Sequence, residues 1–106
     1  MKVRDLAWAA GFFDGEGYVG LAKVGSRNNR LRAQVSVSQK RREPLEEFER
    51  FFGGRVYDYE FYQWHLRALP DIKNLLKKLI PFSRHPDKIR KMREVLRWIE
   101  RKEDAR

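Results

Sequence analysis

The sequence contains no cysteine, which excludes disulfide scaffolds, thiol catalysis and cysteine-ligated zinc, and fits a reducing interior. It has no apolar run near the roughly 20 residues that a membrane-spanning helix needs. Its first residues, Met1-Lys2-Val3-Arg4-Asp5, lack the charged-then-apolar layout of a secretory signal. The expectation is a soluble, intracellular protein with no membrane partner. Acidic residues are in deficit, 15 Asp plus Glu against 24 Lys plus Arg, for a net charge of +9. In so small a chain that excess favours a polyanion as partner, most simply nucleic acid; the plain alternative is a charged surface that serves solubility.

What is present is enough for a core. Apolar residues make up 42% of the chain, and seven Phe, four Tyr and three Trp supply large side chains. The 106 residues suit one compact domain, 1–106, with one modest core.

The chain is organised around Trp8-Ala9-Ala10-Gly11-Phe12-Phe13-Asp14-Gly15-Glu16-Gly17. A helix is expected over about residues 4–13, with Leu6, Ala10 and Phe13 partly facing the core and Gly15 and Gly17 ending it. Ala7, Gly11 and Gly15 recur four apart, along one stripe of that helix. Glycine inside a helix costs roughly 1 kcal/mol relative to alanine, and close approach of a second helix is the usual offset. If that helix belongs to a second copy, two Glu16 carboxylates meet near a two-fold axis and make a site for divalent metal. Asp14 reads as a carboxylate that bonds local backbone donors where helix becomes strand.

Residues 9–17 resemble the nine-letter motif of the LAGLIDADG homing endonucleases, with alanine for the first leucine and glutamate for the last acid. The resemblance implies that Glu16 is the metal-binding acid. It also implies that a chain with a single motif works as a homodimer on a near-palindromic double-stranded DNA target, in the service of intron or intein mobility.

Further along, strands are expected over about 18–24 and 31–40, joined by a turn at 25–29. Leu31, Ala33, Val35 and Val37 alternate with Arg30, Arg32, Gln34, Ser36 and Ser38. The second set mixes guanidinium, amide and hydroxyl groups that can bond base edges, and Lys40 extends it. Gln39 has the parity of the core face yet ends the strand, where it could hold a water beside the metals or simply cap the strand. The run Val35-Ser36-Val37-Ser38-Gln39-Lys40 resembles the family's second strand, which implies that Gln39 is a second active-site residue.

Glu43-Pro44 opens a second helix, whose stripe Leu45, Phe48, Phe51 and Phe52 is core, before Gly53-Gly54 stops it. A second hairpin follows, over about 55–59 and 62–68. Val56, Tyr62, Trp64 and Leu66 point to the core, and Arg55, Tyr57, Tyr59, Gln63, His65 and Arg67 point outward. His65 is read as a DNA-face hydrogen bonder, since no second His or Asp stands at ligand spacing from it. A third helix runs from Pro70 to Pro81 on Ile72, Leu75, Leu76 and Leu79. The last helix runs from Pro86 to about Glu103 on Ile89, Met92, Leu96 and Ile99.

In the family the loop before that last helix delivers a basic residue to the scissile phosphate. Here His85 and Pro86 stand where a lysine is expected, so the role falls first to Lys88 and second to Arg84. The expected fold is α+β, helix-β-β-helix-β-β-helix(-helix), a four-stranded antiparallel sheet with helices on one face. The contact face between copies is expected from Ala7, Ala10, Gly11, Asp14 and Gly15. The metal site is expected from Glu16 and the Gly15 carbonyl, loaded with Mg²⁺ or Mn²⁺; Ca²⁺ can bind there without supporting cleavage. No small-molecule cofactor is expected. A non-catalytic DNA- or RNA-binding module of the same fold, a transcription regulator or intron-splicing maturase, is the alternative.

Overall fold

The structure is a computed structural model that describes residues 1–25 and 30–105. Helix α1 spans Val3–Glu16, followed by strands β1, Gly17–Val24, and β2, Arg30–Gln39. Helix α2 is Glu43–Phe52, strands β3 and β4 are Arg55–Asp58 and Tyr62–Leu66, and helix α3 is Leu69–Leu79. A 3₁₀ turn at Ile80–Phe82 leads to helix α4, Pro86–Asp104. Apart from Gly25, the turn expected at 25–29 lies outside the described residues. No helix among the described residues is long and apolar enough to cross a membrane.

The four strands form one antiparallel sheet in the order β1-β2-β4-β3. The period-two pattern on β2 is realised: Ala33, Val35 and Val37 are buried, and Arg30, Arg32 and Ser38 are exposed. Trp64 and Leu66 of β4 join the same inner face, and the helices cover it. Phe48 of α2 stands at the centre. Its ring lies 5.1 Å from Trp64, 5.8 Å from Phe12, 5.9 Å from Phe52 and 5.6 Å from Trp8. Aromatic pairs at such separations add to the burial of their area.

Several boundaries differ from expectation. Helix α1 does not stop at residue 13; Asp14, Gly15 and Glu16 all continue it, and the extended Gly17 closes it by donating its N–H to the Phe13 carbonyl. Its buried side is Ala9, Ala10 and Phe13, with Leu6 half-buried. Ala10, only 1% exposed, packs inside its own chain, so it drops out of the expected contact face between copies. Pro81 does not end α3 at a stroke but sits within the 3₁₀ turn. On α4 the buried residues are Met92, Val95 and Ile99, with Ile89 and Leu96 half-buried. Tyr59 and Arg67 lie just beyond the strands expected to hold them.

The α2–β3 corner depends on two glycines with left-handed backbone, Gly53 at φ 86° and Gly54 at φ 83°. A Cβ on Gly53 would meet only the Asp71 Oδ2, 3.8 Å away. On Gly54 it would lie 2.4 Å from the His65 carbonyl oxygen and 2.9 Å from the Trp64 indole nitrogen. Gly53→Ala should therefore cost about 1–2 kcal/mol, the backbone penalty alone. Gly54→Ala should cost about 2–4 kcal/mol, because overpacking against a strand carbonyl is added. Urea midpoints of the two variants give the comparison; equal losses would mean that the corner relaxes freely.

Candidate active site and nucleic-acid interface

The end of α1 is where the acidic, amide and basic candidates gather. Glu16 is the last helical residue, exposed, and makes no ion pair among the described residues. The carbonyls of a helix's last turn lack intrahelical partners and carry the negative end of its dipole, so this position favours a cation. Helix α1 has no basic residue of its own in that turn. Lys88, in the first turn of α4, supplies one: its Nζ donates to the Gly17 carbonyl and lies 5.6 Å from the centre of the Phe13 ring. Burial pulls the Lys88 pKa below the ordinary lysine value; nearby Asp14 opposes this, Lys91 adds to it, and Glu16 opposes it.

Gln39 reaches the same end through sheet register. Val37 pairs with Gly17, so the last two residues of β2 run past the start of β1 toward Glu16. Gln39 itself is half-buried and pairs with Tyr62 on β4. Arg84 is exposed in the short link before α4, with its backbone N–H 2.7 Å from Asp14 Oδ2. Asp14 does bond backbone donors, but not local ones: His85 N–H reaches the same oxygen at 3.3 Å, and the Ser83 hydroxyl donates to Oδ1.

Among the described residues no group of three or more His, Cys, Asp or Glu could hold a metal ion. One chain offers the free Glu16 carboxylate and the carbonyls at the end of α1, all hard oxygen donors of the kind Mg²⁺ takes. That donor set fits part of a divalent site.

The outer face of the sheet brings the polar candidates into rows. Ser36 stands opposite Tyr18 on β1 and His65 on β4, and His65 opposite Arg55 on β3. Ser38 stands opposite Gln63, and Gln63 opposite Tyr57. His65 Nε2 and Gln63 Oε1 are 2.9 Å apart, and the Tyr57 ring meets His65 edge-on at 5.5 Å. Tyr59 stacks on Tyr57 at 5.6 Å and 2°, and the Arg67 guanidinium lies 5.9 Å from the Tyr57 ring centre. Burial, and then the Arg67 charge, lower the His65 pKa and so favour the neutral ring, which offers one donor and one acceptor. Lys40, just past β2, is exposed.

Two features escaped the sequence reading. The outward parity of β1 adds Tyr18, Gly20, Ala22 and Val24 to this face, with Tyr18 and Val24 clearly exposed. Their alternation with Val19 and Leu21 carried the signal. Ser83, the one buried polar side chain among the described residues, had no local signal. On α1 the exposed side holds Ala7, Gly11 and Gly15 with Val3 and Trp8. A Cβ at Gly11 or Gly15 would meet nothing within 4 Å in this chain, so its own packing does not demand glycine there. A groove of about 430 Å³ runs beside them, lined by Ala7, Gly11, Asp14, Pro81, Phe82, Ser83 and Arg84.

The outer sheet face is polar and basic, and the acidic end of α1 stands at its margin. The chain belongs to the LAGLIDADG endonuclease family, whose sequence profile matches residues 9–100. Its fold is shared with the homing endonuclease I-CvuI in complex with a DNA target, at a TM-score of 0.81 and 22% identity over 93% of this chain and 69% of that one. Complexes of I-CvuI were determined in the presence of Mg and of Ca. An archaeal intron-encoded homing endonuclease complexed with DNA matches at 0.76 and 22% identity, over 97% of this chain and 73% of that one. The homing endonuclease I-TnaI matches at 0.66 and 26% identity, over 92% and 75%.

Proposed function

We propose that this member of the family is a site-specific DNA endonuclease that binds a near-palindromic double-stranded target as a homodimer and hydrolyses one phosphodiester in each strand. The observation that supports it most is the junction of α1 and β1. Glu16, without an ion-pair partner among the described residues, ends α1 there, and the Lys88 ammonium bonds the adjoining Gly17 carbonyl, at the margin of a polar and basic sheet face. A non-cleaving binder has no need of an unpaired carboxylate beside the DNA, where it repels phosphate.

Glu16 and the Gly15 carbonyl of each copy would hold the divalent cation, with α1 of one copy crossing α1 of the other at Ala7, Gly11 and Gly15. When bound, Mg²⁺ or Mn²⁺ lowers the pKa of water and offsets charge on the leaving oxygen. Gln39 orients the attacking water through its amide. Lys88, or in its place Arg84, offsets the negative charge that grows on the phosphate as the water oxygen adds and the bridging oxygen leaves. Outside the junction, Arg30, Arg32, Gln34, Ser36, Ser38, Gln63, His65 and Arg67 face base edges and phosphates, and Arg55, Tyr57 and Tyr59 extend the surface along β3.

The test is selection of cleavable sites from a randomised DNA library with the purified chain in Mg²⁺, repeated in EDTA. The expected result is enrichment of near-palindromic sites cut on both strands in Mg²⁺ only. Tight binding without cutting in Mg²⁺ or Mn²⁺ would leave the non-catalytic module as the function. On the recovered site, Gln34→Ala should weaken binding by about 1–3 kcal/mol and relax preference at one base pair per half-site. Lys40→Ala should weaken all sequences alike and reduce the salt slope by about 1 per copy. Binding titrations in Ca²⁺ at several salt concentrations separate the two patterns.

A further inference from the structure

Asp14 lies two residues before Glu16, yet its carboxylate turns toward a segment far along the chain. Oδ1 accepts from the Ser83 hydroxyl, and Oδ2 accepts from the Arg84 N–H at 2.7 Å and the His85 N–H at 3.3 Å. Three consecutive residues, 69 to 71 positions away, thus converge on one side chain. Ser83 is buried, and burial raises the cost of opening its bond. His85, the residue that precedes α4, makes no side-chain cap of its own. The carboxylate therefore stands before the positive end of the α4 dipole and fixes where that helix begins. Lys88 follows in the first turn of α4, and its ammonium bonds the carbonyl of Gly17, the residue after Glu16.

We infer that Asp14 is a positioning residue, which clamps residues 83–85 to α1 and so holds Lys88 at the α1–β1 junction. One rigid helical turn is all that separates the clamp from the ammonium, so a shift of the 83–85 segment moves Lys88 with it. The role of Lys88 at the phosphate rests on the proposed function; its placement by Asp14 does not. Asp14→Asn is the direct probe. It keeps the shape of the side chain but replaces one acceptor with an NH₂ group facing donors.

The first measurement needs no nuclease activity. The free protein is treated with an amine-acetylating reagent, and labelling of Lys88 is compared by mass spectrometry with that of exposed Lys91. Both rates are corrected for the fraction of free amine at the labelling pH, which the lowered Lys88 pKa raises. So corrected, Lys88, half-buried with its Nζ bonded to the Gly17 carbonyl, should label more slowly than Lys91 in the wild type. It should approach the Lys91 rate in Asp14→Asn and fall between in Ser83→Ala, which removes only one of the three bonds. Ser83→Ala carries the test alone if Asp14→Asn does not fold. Lys88 labelling that is unchanged by the foldable variants overturns the inference.

The second measurement is a double-mutant cycle on cleavage. Asp14→Asn should slow cutting by about 10- to 100-fold and Lys88→Ala by about 100-fold. The double variant should be no slower than Lys88→Ala, since Asp14 then has nothing left to place. Multiplying losses would show that Asp14 acts apart from Lys88 and overturn the inference while the endonuclease stands. A wild type that cuts no DNA removes the proposed function instead, and the acetylation result still decides the clamp.

Discussion

Glu16→Gln is expected to abolish DNA cleavage while leaving the fold and DNA binding in place. The substitution keeps the length and shape of the side chain and removes only its charge. Because Glu16 is exposed and unpaired among the described residues, stability should change by no more than about 0.5 kcal/mol. A neutral amide is a poor partner for a hard divalent cation, and the described residues of one chain hold no cluster of carboxylates to take over. The loss falls on the transition state, where charge builds on the phosphate, so the rate should drop by about 10³-fold or more. Binding should hold or tighten slightly, since a negative charge beside the DNA has been removed. Single-turnover cleavage of plasmid carrying the selected site, alongside binding to the same site, separates the two effects. Cutting that survives the change would remove Glu16 from the mechanism.

The second large effect concerns stability. Trp64→Ala should destabilise the chain by about 3–5 kcal/mol, the range for deleting a buried aromatic. Trp64 is fully buried, its ring is 5.1 Å from Phe48, and its Nε1 donates to the Gly53 carbonyl at 2.8 Å. It pairs with Val37 on β2 and Val56 on β3, so the cavity would open between both hairpins and α2. Small domains hold about 5–15 kcal/mol in all. The expected loss takes a large part of that and should lower the midpoint of thermal unfolding by about 15–30 °C. Trp64→Phe keeps a ring and gives up the bond to Gly53, and should cost less, about 1–3 kcal/mol. Urea midpoints at constant slope measure both. A loss under about 1 kcal/mol for the alanine variant would mean that the core collapses around the gap.

Much of the candidate site could be read along the chain because its signals are local. Alternation on β2 put Ala33, Val35 and Val37 inside and Arg32 and Ser38 outside, because a strand's side chains can only alternate. The same rule applied to β1 would have found Tyr18. Helix faces were harder. The stripe Ile89, Met92, Leu96 and Ile99 is a valid helical period, yet the residues of α4 that the fold buries are Met92, Val95 and Ile99. Periodicity gives an apolar side of finite width, and the packing partner chooses its centre. Ala10 failed for the same reason: a small residue suits a contact between copies or a tight core equally well, and here the core took it.

The sequence by itself determined the acid-glycine run, the polar strand faces and the family motif, since each is written in neighbouring residues and in the fixed periods of helix and strand. The tertiary structure alone decided that Asp14 holds residues 83–85 and that Lys88 reaches Gly17. Those contacts join parts of the chain about 70 residues apart. No local pattern encodes such a pairing; it exists only once the hydrophobic core has brought α1 and α4 together.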